Sequence, residues 1–214
     1  NVIEGKNTFS DYLDQYNLGN HSAELLKPLA DKFREKGNNK KAIELYSELI
    51  KSSNISKESF INSKYYIASL SLKNNESTLM EEYLNQFENS AKFENGVYDL
   101  INYYKSNQME AEELETYTTY LPILDQSYNF LNSYAWRMSE LSKNLDDALN
   151  KINIALILID KDNQGYANIL DTKAEVLWKM GKIEDAIFII EKALEFDSDS
   201  EYFKSQKEKF LKNN

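Results

Sequence analysis

The amino-acid sequence predicts an all-α fold, a solenoid of about five helical hairpins with a capping helix at its C-terminal end, and three observations carry that prediction. Six glycines and two prolines in 214 residues leave few places for tight turns. Apolar residues make up 42% of the chain, enough to bury a real core, and no apolar run approaches the ~18 residues a membrane span requires. The chain also repeats itself. LDDALNKINIALILID from Leu145 aligns with IEDAIFIIEKALEFDS from Ile183, so that Ala148 and Ala155 fall over Ala186 and Ala193 at a period of 38 residues. Leu149, Ile152 and Leu156 fall over Ile187, Ile190 and Leu194 in the same register. Each stretch is an apolar stripe at helical spacing, with alanines where a neighbouring helix must come close.

In chain order, residues 1–21 form a lead-in. TFSDYLDQYNL offers Thr8 or Ser10 as an N-cap and Phe9, Leu13 and Tyr16 along one side of a short helix that packs on the first repeat. A repeat array follows over 22–198, beginning with a hairpin at about 23–52 in which Ala30, Phe33, Gly37, Ala42, Tyr46 and Leu49 hold the small, turn and packing positions. A degenerate second hairpin, about 57–90, has Ala68, Met80, Leu84 and Phe87 in the corresponding places. The third, about 94–121, puts Tyr98, Ile101, Leu114, Tyr117 and Leu121 on one face before Pro122 stops the helix. The fourth and fifth, about 127–160 and 166–197, pair the two aligned stretches with first helices around Ala135 and Ala174, the latter ending on Gly181. Residues 199–214 are the cap and tail: Tyr202, Phe203, Phe210 and Leu211 make an apolar side, and the lysines between them suit a polar outer face at the end of a stack.

The last array repeat resembles the tetratricopeptide repeat, a helix-turn-helix unit of about 34 residues. Ala174, Gly181, Ala186, Ile190 and Ala193 match that family's small, glycine, alanine, apolar and alanine positions in order. The repeat before it matches with one extra residue ahead of its second helix. The resemblance implies a right-handed α-solenoid whose first helices line a concave, non-catalytic peptide- or protein-binding groove. Carried over position by position, the groove residues are Asn129, Asn132, Trp136 and Ser139 in the fourth hairpin and Asn168, Asp171, Glu175 and Trp178 in the fifth, with Tyr65 and Ser69 in the second. Both of the chain's tryptophans therefore fall on the expected groove, and tryptophan is enriched at binding hot spots. Buried packing between hairpins is the alternative place for them. A clamp of lysines and asparagines that in this family holds a chaperone's C-terminal carboxylate is not reproduced, because Lys27 occupies one clamp position but Asp31 the next.

The chemistry open to the chain is narrow. A net charge of −10 repels nucleic-acid backbone and anionic membrane at long range. There is no cysteine, His21 is the only histidine, and the glycines never cluster into a phosphate-cradling loop, so no catalytic residue and no cofactor is expected. The stretch DKDNQGYANILD has a competing reading as a calcium loop, with Asp160, Asp162, Gln164, Asn168 and Asp171 at ligand positions and Gly165 at the turn. It lacks the bidentate glutamate at its last position, no second hand accompanies it, and it falls where two repeats need a connection. Asn132 to about Phe196 also resembles, less specifically, helical extensions that follow thioredoxin-like domains in some bacterial exported proteins, without a CxxC motif. That resemblance implies an accessory, substrate-presenting part of a larger protein in an extracytoplasmic setting. The start at Asn1 instead of Met fits a processed or truncated piece.

Overall fold

A computed structural model describes residues 8–212. Among the described residues the chain forms twelve helices: α1 Phe9–Asn17, α2 Ala23–Glu35, α3 Asn39–Leu49, α4 Lys57–Leu72, α5 Thr78–Gln86, α6 Phe93–Ser106, α7 Glu110–Tyr120, α8 Tyr128–Leu141, α9 Leu145–Leu158, α10 Tyr166–Lys179, α11 Ile183–Phe196 and α12 Glu201–Lys212. None is long and apolar enough to cross a membrane. The chain divides within α7 into two compact units, one up to Thr116 and one from Tyr117 on.

In the first unit Thr8, not Ser10, caps α1. Its hydroxyl accepts from the Asp11 N–H at 3.3 Å while the Asp11 carboxylate accepts from the Thr8 N–H, a reciprocal capping box. Phe9 then meets Phe33 of α2 edge-on at 5.1 Å. The α2–α3 hairpin turns on Gly37, whose φ of +75° is free of penalty only without a Cβ, and Asn38 caps α3 by accepting from the Lys41 N–H. Ala30 and Ala42 are fully buried, and Leu26, Leu29, Leu45 and Leu49 pack around them. Small residues let the two helices approach, and the leucines fill what remains.

The core of α6 is Phe93, Val97, Leu100, Ile101 and Tyr104. The sequence placed Tyr98 on that face, yet it is only partly buried, because the packed stripe is rotated by one position. The rotation brings Gly96 against α5, where an added Cβ would stand 3.0 Å from Leu84 Cδ2 and 3.1 Å from Met80 Sδ. Both atoms are the ends of flexible side chains. Gly96→Ala is therefore expected to be nearly neutral in urea unfolding, the crowding offset by a helix-propensity gain of about 1 kcal/mol. Gly96→Val, with two further methyl groups to place, is expected to cost about 1–3 kcal/mol.

The second unit starts with the last turn of α7, which ends at Tyr120, just before Leu121 and Pro122. Tyr117 packs on Phe130 and Tyr134 and shares a 2.9 Å hydrogen bond with the Ser133 hydroxyl. Two hairpins follow, α8–α9 and α10–α11. Ala135, Ala148, Ala155, Ala174, Ala186 and Ala193 are all fully buried, so each alanine of the sequence repeat marks a close helix contact. The turns of the two hairpins, 142–144 and 180–182, are equally long, so the extra residue is taken up in α8, which runs on to Leu141; the first turn uses two left-handed residues, Ser142 and Asn144, and the second only Gly181. Helix α12 closes the unit, with Phe203 and Phe210 buried in the same core as Ala174, Leu177 and Ile190.

Candidate binding face of the first helices

Within the second unit α10 packs between α8 and α12. On α8 the residues expected in the groove are Asn129, exposed; Asn132 and Trp136, half-buried; and Ser139, buried with its hydroxyl donating to the Trp136 carbonyl at 2.7 Å. Trp136 presents an apolar, partly accessible surface one helical turn from Asn132. The Asn132 Oδ1 is buried and accepts no hydrogen bond.

On α10 the arrangement departs from the sequence expectation. Asp171 and Glu175 are only 4% and 5% exposed, because α12 lies over that face of α10. The Tyr202 hydroxyl donates to Asp171 Oδ2 at 3.1 Å and is itself a hydrogen-bond partner of Gln206 at 2.8 Å. Lys209 forms a 2.5 Å ion pair with Glu175, donates to the Gln206 side-chain Oε1 at 3.2 Å and lies 4.5 Å from the Trp178 ring centroid. Trp178 also meets Phe210 at 5.7 Å. Asp171, Glu175 and Trp178 thus bind the protein's own last helix instead of presenting an open groove. Burial drives the Asp171 carboxyl up to about 6, and the nearby Glu175 adds to it, while Tyr202 and Lys209 act the other way. Its second oxygen, Oδ1, is buried and has no donor.

Asn168 is exposed and opens on a different space, a cavity of about 460 Å³ bounded by the 161–164 connection, Phe196 and Phe203. This geometry also corrects the calcium reading of DKDNQGYANILD. α10 begins at Tyr166, so the second half of the stretch is already helical, and Asp171 is turned onto Tyr202 and away from the loop. Asn163 instead serves the turn itself, accepting from the Gly165 N–H at 2.8 Å.

In the first unit Tyr65 is buried, with its hydroxyl donating to Asp99 Oδ2 at 2.9 Å, and Ser69 donates to the same oxygen at 2.8 Å. Burial and the Asp99 charge push the phenol well above its ordinary range. Tyr65 therefore links α4 to α6 and is not an open contact. Sequence reading missed a second cluster here. Tyr46 donates to Asp31 at 2.5 Å, Arg34 donates to the Tyr46 hydroxyl at 3.2 Å, and the Arg34 guanidinium stands 4.3 Å above the Tyr66 ring, which stacks on Tyr46. The members of this cluster lie 15 and 12 residues apart and leave no repeat-length signal, whereas Tyr65 and Asp99, like Glu175 and Lys209, lie 34 residues apart, about one tetratricopeptide repeat length.

No family model and no curated protein matches the sequence. Solved structures do match in fold. YrrB, a TPR protein with an unusual peptide-binding site, aligns over 94% of this chain and 100% of its own with a TM-score of 0.59 at 12% identity. BtubC from P. vanneervenii aligns over 87% of each chain with a TM-score of 0.62 at 16% identity. A protein of nearly identical TPR-like repeats from Podosopora anserina aligns over 84% of this chain and 97% of its own, with a TM-score of 0.58 at 12% identity. The fold is that of a tetratricopeptide-repeat α-solenoid.

Proposed function

We propose that this protein is a non-catalytic scaffold that binds a protein or peptide partner on the α8 side of its second unit. Trp136 supplies the apolar anchor there, and the exposed Asn129 hydrogen-bonds the partner's backbone. The observation that supports the reading is the half-buried Trp136 on the helix that also presents the exposed Asn129. A tryptophan that still offers surface, next to polar groups able to pair with peptide amides, is the composition of a recognition hot spot. The fold is shared with a TPR protein that has a peptide-binding site, and the acidic surface favours such a partner over nucleic acid.

Panning a random peptide library on the full chain, then measuring recovered peptides by fluorescence anisotropy, tests the reading. Trp136→Ala is expected to weaken binding about 10–100-fold while the thermal midpoint stays close to that of the parent chain. Equal affinity in the variant, or a variant that no longer folds, returns Trp136 to a packing role and ends the proposal.

A further inference from the structure

A second surface lies on the other side of the same unit, among the second helices. α9 and α11 flank a groove of about 300 Å³ whose floor is Leu177 and Lys173 of α10 and whose walls are Leu149, Phe188 and Ile189. Its apolar character continues onto the open surface. Phe188 is 57% exposed, and Ile157, one turn along α9 from the groove-lining Asn153, is 82% exposed. Scattered single apolar residues need no explanation, but a groove with apolar walls that runs into exposed isoleucine and phenylalanine marks a contact surface.

The charges around it run against the rest of the chain. Lys173 and Lys182 line the groove, and Lys192 stands 4.4 Å from the Phe188 ring centroid. Asp185 is the acidic residue in the lining. None of the three lysines forms an ion pair or donates a side-chain hydrogen bond among the described residues. In a protein of net charge −10 this is a local reversal of sign, set beside the apolar walls of Leu149, Phe188 and Ile189. The Lys173 ammonium is the key group. Burial disfavours its charge most, the neighbouring Lys192 adds repulsion, and Asp185 opposes them only in part, so its pKa lies below the usual lysine value. An arriving carboxylate would relieve that cost.

We infer that the groove between α9 and α11 is a docking site for an acidic amphipathic helix of a partner protein. The partner sets an aliphatic side chain on Leu149, Leu177 and Ile189 and gives a carboxylate to Lys173. The commitment to an acidic partner follows from charge: the lining sets two lysines, Lys173 and Lys182, against one aspartate, Asp185, which attracts a carboxylate-bearing helix and repels a basic one. The groove has room for one or two aliphatic side chains, which suits a helix ridge better than a small molecule. Because its walls are the second helices α9 and α11 and no α8 residue lines it, the groove is separate from the Trp136 face, and a partner there would leave that face free.

The test uses the full chain and three short synthetic helical peptides: one with leucines along one face and glutamates on the other, one with lysines in place of those glutamates, and one with the acidic composition scrambled. Anisotropy of the labelled peptides should show saturable binding of the acidic amphipathic peptide alone. Lys173→Met, which keeps the buried stem and removes the charge, is expected to weaken it about tenfold, and Phe188→Ser, on an exposed side chain, by a similar factor. Lys173→Glu should transfer preference to the lysine peptide. Binding that survives both Lys173→Met and Phe188→Ser, binding of the scrambled peptide at equal strength, or no binding at all would overturn the proposal. So would a concentration-dependent dimer in sedimentation that Phe188→Ser dissolves, since the occupant would then be a second copy of this chain.

Discussion

Lowering the pH from 7 to 5 is expected to stabilise the second unit through Asp171. The carboxyl titrates at about 6 in the folded chain against an ordinary value of 3.8, so between these values the native state holds a proton that the unfolded chain has released. Stability therefore rises as pH falls through 6 and levels off below about 4, the reverse of a salt-bridged carboxylate. One pKa unit corresponds to about 1.4 kcal/mol, so this group contributes about 1–1.5 kcal/mol between pH 7 and 5. The groups that bear on it are Tyr202 and Lys209 from α12 and Glu175 from its own helix. Asp171→Asn should abolish the rise and make the chain more stable than the parent at pH 7, by about 1–3 kcal/mol. The measurement is the urea midpoint of both proteins across this pH range, together with amide hydrogen exchange of α12. Parallel pH profiles for parent and variant would show that Asp171 is as well solvated as an ordinary surface carboxylate.

That carboxylate also marks where sequence reading stopped. The hairpins were legible because an alanine at a close helix contact leaves a strong trace, and Ala174, Ala186 and Ala193 occupy in the structure the contacts their spacing implied. The turns were legible where glycine carried them, as at Gly37 and Gly181, but less so at Ser142 and Asn144, whose left-handed backbone is not a glycine signature. The binding face was harder. Helical periodicity tells which side of α10 faces its own hairpin, but not which later helix lies over the opposite side. The lysines of α12 read as the solvated skin of a cap, and most are; Lys209 turns inward onto Glu175 and Trp178. Its long apolar stem makes this possible, since the ammonium can reach a carboxylate while the methylenes lie along the tryptophan. Complementary residues one repeat apart are the trace such a contact leaves in a sequence.

Removing the anchor of α12 is expected to have the largest effect on this face. Phe210 is fully buried, near the C-terminal end of its helix, packed against Trp178 in the core that includes Ala174 and Ile190. Phe210→Ala deletes an aromatic ring from a closed site, which costs about 3–5 kcal/mol. Only Phe203 and Gln206 accompany it as buried residues of α12, and the remaining contacts to α10 are polar. Much of that loss should therefore fall on the attachment of this helix and less on the hairpins beneath. The expected signature is loss of exchange protection in α12 with protection of α10 and α11 largely kept. In a Trp136→Phe background, which leaves Trp178 as the only tryptophan, its emission should shift to the red as the ring meets water. Detachment also frees Asp171 from its burial, so the pH-dependent rise in stability should disappear in the same variant. Because the two effects share one helix, they must vanish together. Exchange protection lost uniformly across α8 to α12 would mean that α12 is an inseparable part of the core, and the first-helix face would then end at α10 under every condition. If α12 alone is released, Asp171, Glu175 and Trp178 become open to a partner, and peptides that bind beside Trp136 should gain affinity in Phe210→Ala.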